Sequence, residues 1–150
     1  MEISWTNITY LAIGAVLGFF GAVIMEYIKR CWAEKDRKRR NKNILKGVEE
    51  EIEEGIKRCE GLIKFLEEGK VSFSRIYTVF WDSTKFELSQ NLKNIEILLL
   101  LHRIYYRFDL VNFNMEKNRL GAGADFAKES IDQIKENFNE FVGKIKITKI

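Results

Sequence analysis

The chain has 150 residues, 46% of them hydrophobic and 31% charged, a globular balance that excludes a largely disordered protein. Its formal net charge of +3 hides a basic block over residues 29–42 and an acidic block over 49–54, so placement says more about partners than the sum. Two cysteines and one histidine, far apart in sequence, leave no zinc-ligand spacing, and the lack of proline suits long, mostly helical elements.

The run from Ile8 to Ile28, ITYLAIGAVLGFFGAVIMEYI, carries no charge until Glu26. It matches the roughly 20 residues that cross about 30 Å of hydrocarbon. Trp5 and Tyr10 at one end, Tyr27 and Trp32 at the other, fit the two headgroup regions, and Glu26 is expected to reach water. The preceding residues hold no Lys or Arg and no small-x-small site closes the run, so retention is expected rather than cleavage. Lys29, Arg30, Lys35, Arg37, Lys38, Arg39, Arg40 and Lys42 follow, against Glu34 and Asp36. Positive charge stays in the cytoplasm. The expected order is therefore an outside N-terminus (1–7), a transmembrane helix (8–28), a basic juxtamembrane segment (29–43) and a cytoplasmic helical domain (44–150) in the cell membrane. The same eight cations are expected to contact anionic lipid, and the block lacks the interleaved aromatics of a nucleic-acid surface. Gly14, Gly18 and Ala22 share one helix face, predicting a homodimer through the membrane helix. Cys31 and Cys59 fall in the reducing compartment, where no disulfide is expected.

From Glu34 to Glu68, Leu45, Val48, Ile52, Ile56, Cys59, Leu62, Ile63 and Leu66 step by three and four along one helical stripe. Leu45, Ile52, Cys59 and Leu66 share a heptad position, as in a coiled coil. Gly47, Gly55 and Gly61 weaken this helix by about 1 kcal/mol each relative to Ala, so packing must hold it. The run EEEIEE reads as its solvated face, and Gly69-Lys70 as its stop. Residues 71–82 read as a loop packed on the core rather than a lone strand. Asp82, Ser83 and Thr84 offer N-caps, with Thr84 and Glu87 spaced as a capping box, for a short helix to about Asn91.

Asn94 is expected to cap a central helix over Ile95 to Lys117, lined by Ile95, Leu98, Leu99, Leu101, His102, Tyr105, Phe108 and Val111. Lys93, Glu96, His102 and Arg103 leave its LLLL run too short for a second span. Gly121-Ala122-Gly123 ends the connection, Asp125 can cap, and Ala127, Ile131, Ile134, Phe138, Phe141 and Ile145 mark the last amphipathic helix. The fold class is all-α: an N-terminal transmembrane helix, then a small antiparallel bundle of three long helices plus one short.

His102, Tyr105, Tyr106 and Asp109 share a helix face in a relay-like spacing, although a lone His in an apolar helix is more often a core residue. No nucleophile elbow, phosphate loop, HExxH or CxxC occurs, so no enzyme, cofactor or metal is expected. Trp81-Asp82 and the segment LLLLHRIYYRFDLVN, with Trp81, Tyr105 and Asn112, resemble small prokaryotic proteins that pair a single membrane helix with a cytoplasmic helical domain. The resemblance implies architecture and no activity. The expected function is a single-pass, membrane-anchored interaction or scaffold module with a cytoplasmic protein partner. Alternatives are a ligand- or lipid-sensing module and an oligomerising, membrane-permeabilising or phage-defence protein.

Overall fold

The computed structural model describes residues 5–68, 75–117 and 123–147, and every regular element among them is an α-helix. These are α1 (Trp5–Glu67), α2 (Val79–Asn91), α3 (Ile95–Lys117) and α4 (Gly123–Ile147). Helix α1 is one element of 63 residues running through what composition divides into an apolar, a basic and an acidic stretch. Lys, Arg and Glu are good helix formers. Glu26–Arg30 (3.1 Å) and Glu34–Lys38 (3.8 Å) add i,i+4 ion pairs in the favourable order, acid before base.

The chain divides into two compact units, Met1–Arg39 and Arg40–Ile150. In the first, every described side chain from Thr9 to Arg39 is exposed. It contains the one segment among the described residues that is long and apolar enough to cross a membrane, and none of that segment is buried.

The second unit is an up-and-down bundle. Ion pairs Lys128–Glu67 and Lys135–Glu60, both 2.6 Å, set α4 antiparallel to α1, and Lys144–Glu96 (2.8 Å) sets it antiparallel to α3. Arg40–Glu87 (2.8 Å) and the bond from Asn41 Nδ2 to the Asn91 carbonyl (3.3 Å) place the end of α2 beside the start of α1 in this unit. The core is continuous, and Val48, Ile52, Ile97, Leu101, Ile104, Phe108, Ile134 and Phe141 are essentially inaccessible. Each such side chain contributes about 1.5–3 kcal/mol of apolar transfer. Two of the helix-weakening glycines have a packing reason. A Cβ on Gly55 would lie 2.6 Å from the ring of Phe108, and one on Gly47 would strike the ring of Phe80, so each glycine lets an aromatic ring rest on the α1 backbone.

Helices α3 and α4 run close to the expected positions, α1 joins the expected 8–28 and 34–68 helices into one element, and Asn94 caps α3 through Oδ1, which accepts from the Glu96 N–H (3.0 Å). Two starts differ. Helix α2 begins at Val79, so Asp82, Ser83 and Thr84 lie inside it; Ser83 and Thr84 turn their hydroxyls back to the Phe80 carbonyl (2.8 and 2.7 Å). Glu87 pairs with Arg40 instead of closing a capping box with Thr84. Asp125 sits within the first turn of α4, not ahead of it. The expected stop at Gly69-Lys70, the positions Val71 and Phe73, and Gly121-Ala122 lie outside the described residues.

Candidate functional site

The segment between α1 and α2 shows how one carboxylate organises the bundle. Residues 75–78 form no regular element, yet Ile76 is buried. Its backbone is satisfied by a side chain: the Ile76 N–H donates to Asn112 Oδ1 (2.9 Å), and Asn112 Nδ2 donates to the Ile76 carbonyl (3.0 Å). An amide thus stands in for a neighbouring strand. Arg58 of α1 lies over the exposed Tyr77 ring, 5.5 Å from its centre.

The chain then enters α2 without a local cap, since the Thr78 side chain makes no capping bond. Orphan donors at the second and third helical positions need an acceptor. Glu51 of α1 supplies it. Its Oε1 accepts from the Phe80 N–H (2.8 Å), and Oε2 accepts from the Trp81 N–H (3.0 Å) and the Tyr105 hydroxyl (2.7 Å). The Trp81 ring is stacked on Tyr105, centroids 4.7 Å apart and planes 4° from parallel. Burial, then the Glu51 carboxylate, push the Tyr105 phenol far above its ordinary range, so it stays a donor. Trp81, Tyr105 and Asn112 therefore all fasten residues 76–81 to α3.

Above this stack lies a groove of about 370 Å³ between α2 and α3. Asp82, Lys85 and Phe86 form one wall, and His102, Tyr106 and Asp109 the other. Phe86 and Tyr106 are 72% and 62% exposed, large values for aromatic rings. The Lys85 ammonium (2.7 Å), then the Thr78 hydroxyl (3.1 Å), hold the Asp82 carboxyl below its usual range. The structure thus brings His102, Tyr105, Tyr106 and Asp109 round one groove. Among the described residues no hydrogen bond joins any two of them; Tyr105 points inward to Glu51 and Tyr106 outward. Nor is His102 a core residue: it is exposed, its ring edge-on to Trp81 at 5.4 Å. The groove offers stacking faces and fixed charge. No three His, Cys, Asp or Glu among the described residues are grouped to hold a metal ion.

Other predicted positions are spread along α1. A Cβ added at Gly14 or Gly18 would meet nothing within 4 Å, and Ala22 is exposed. Lys29, Arg30, Lys35, Arg37, Lys38, Arg39, Arg40 and Lys42 are all exposed; Arg30, Lys38 and Arg40 are held in ion pairs. Both thiols are free, Cys31 at the surface and Cys59 in the core. Glu51 is the residue that sequence reasoning passed over. Its partners lie 29, 30 and 54 positions away, and the sequence gives no sign of them, because Thr78 ahead of Val79 is itself a capping residue type that makes no cap bond here.

Comparisons with protein-family models, with curated proteins and with solved structures give no match. The groove is therefore read from its own chemistry.

Proposed function

We propose that this chain is a membrane-anchored protein-interaction module, crossing the membrane once through residues 8–28, with its N-terminus outside and the bundle in the cytoplasm. In this reading the cations from Lys29 to Lys42 lie against anionic lipid, and the face of Gly14, Gly18 and Ala22 pairs two membrane helices.

One observation carries the interaction role. Helix α3 buries one side in the core, yet Ile95, Leu99 and Tyr106 form a second stripe that is 68%, 53% and 62% exposed, with Phe86 of α2 beside it. Large apolar side chains left exposed among charged ones mark a binding face in soluble domains. Arg103, exposed on the same helix, and Asp109 give that face polar contacts at its rim. The matching partner is a cytoplasmic protein that presents an apolar ridge edged by opposite charges.

The test is recovery of a partner with the tagged full chain in mild detergent. Tyr106→Glu and Phe86→Ser should each abolish recovery while Gly18→Ile leaves it intact; a partner retained by both groove variants would overturn the assignment of the face. Gly18→Ile should instead abolish self-association in a membrane two-hybrid assay. The 370 Å³ groove also supports a second reading, ligand sensing, which predicts a small molecule carried through purification and lost in Tyr106→Glu.

A further inference from the structure

The groove between α2 and α3 spends most of its hydrogen-bond donors internally and keeps an acceptor free. The Thr78 hydroxyl donates to Asp82 (3.1 Å), the Ser89 hydroxyl to the Phe86 carbonyl (2.8 Å) and the Tyr105 hydroxyl to Glu51 (2.7 Å). The Lys85 ammonium is matched to the Asp82 carboxylate at 2.7 Å. Asp109, on the opposite wall, is exposed and makes no hydrogen bond or ion pair among the described residues. It stands three positions after Tyr106 on α3, a spacing that makes the carboxylate and the exposed ring neighbours on one helix face, their Cβ atoms about 5–6 Å apart. A partner that covered this groove with apolar atoms alone would take the Asp109 carboxylate out of water with nothing to replace its hydration, which is costly. A cation in that place removes the cost, and an exposed aromatic face favours a flat, weakly hydrated one.

We propose that this groove receives an arginine side chain of the partner protein, its N–H groups donating to the Asp109 carboxylate and its guanidinium plane lying on the Tyr106 ring. A planar fork of five donors suits a site that offers a free acceptor beside a ring face; a lysine ammonium is more strongly hydrated and cannot stack. The proposal rests on the reading of this face as a protein-binding surface, and deepens it by naming the residue through which the partner is anchored.

A nuclear magnetic resonance titration of the full chain in mild detergent, following the Phe86 and Tyr106 ring signals, tests this with N-acetyl-arginine methylamide as the probe. Binding should be saturable, with a dissociation constant on the order of millimolar for a single side chain. The lysine analogue should bind about threefold more weakly, and the citrulline analogue, which keeps the shape and loses the charge, about tenfold. Asp109→Asn, at an exposed and unpaired position that leaves the fold intact, should weaken the arginine probe about fivefold, and Tyr106→Leu about threefold. Glu116→Gln, exposed near the end of α3, should change it less than about twofold. Equal binding of the arginine and citrulline probes, or no loss in Asp109→Asn, would overturn the proposal. Partner recovery separates it from the reading beneath it. Loss of the partner in Phe86→Ser with full retention in Asp109→Asn refutes the arginine anchor alone, whereas retention in both refutes the binding face.

Discussion

Helix α1 carries two apolar stretches with opposite fates. Leu17, Phe20 and Val23 in the first unit are 66%, 58% and 50% exposed, although this is the most hydrophobic part of the helix. Val48, Ile52 and Cys59 in the second are 0%, 0% and 1% exposed, although acidic side chains surround them. Burial follows the partners that a chain provides, and hydropathy alone does not decide it. The periodic stripe of the second unit meets α2, α3 and α4; the apolar surface of the first is exposed along all its described side chains. The proposed anchor gives that surface its complement, lipid or a second copy of the helix, the two media that suit an all-round apolar helix.

This contrast can be broken at several points, and the largest effect should come from Glu51. Glu51→Ala leaves the Phe80 and Trp81 N–H groups and the Tyr105 hydroxyl without an acceptor, and should cost the bundle about 3–4 kcal/mol. Urea unfolding of the full chain in mild detergent measures it, read by Trp81 fluorescence with Trp5 and Trp32 replaced by Phe. A loss under about 1 kcal/mol would show that water replaces the carboxylate without penalty. Glu51→Gln should recover part of the loss, because an oxygen acceptor remains.

The same substitution on the two units gives the sharpest comparison. Gly55→Val drives a side chain into the Phe108 ring and should cost about 1–3 kcal/mol in that assay. Gly18→Val has open space within the chain and should leave the unfolding midpoint unchanged, with any effect confined to self-association. Equal losses would mean that the units are not energetically separate.

The two cysteines divide in the same way. Cys31 should react readily with iodoacetamide in the native chain and Cys59 only on unfolding, since burial, then the charge of Glu60, pushes the Cys59 thiol up to about 12. The sign of its pH dependence follows. The folded state holds the neutral thiol, so its contribution is complete below the unfolded value near 9 and is lost as pH rises toward about 12. Replacing Cys59 by Ala should flatten that alkaline decline. The smallest effect is expected at Ser130, whose buried hydroxyl has no hydrogen-bond partner among the described residues; Ser130→Ala should stabilise by about 0.5–1 kcal/mol.

The long helices were legible because their signals are local. The stripe from Leu45 to Leu66 and the Asn94 cap of α3 can be read from spacing alone, and both stand in the structure. What stayed hidden depends on contacts across the sequence. Local capping residues pointed to an α2 start at Asp82 to Thr84, but the carboxylate of Glu51 moves it to Val79. For the same reason the acidic run is not uniformly solvated: Glu51 is turned inward, half-buried, while Glu53 and Glu54 are exposed. His102 looked like a core residue because its neighbours are apolar, yet the helical angle carries it to the outer side of α3. The four-residue face from His102 to Asp109 was legible as a face, and its apposition to Trp81, Asp82 and Phe86 was not.

The fastening of residues 76–81 also governs how the bundle moves. Four hydrogen bonds and an aromatic stack tie this segment to α1 and α3 through Glu51, Tyr105 and Asn112, and a fifth bond joins Tyr105 to Glu51. Swinging α2 away would break most of them at once, so the amides of Ile76, Phe80 and Trp81 should exchange with deuterium together, in one sub-global opening, rather than by fraying. In the proposed interaction role, a partner docking at Phe86 and Tyr106 would meet a preorganised surface. Little ordering entropy remains to be lost on docking, and association should be limited by diffusional encounter rather than by rearrangement of the domain.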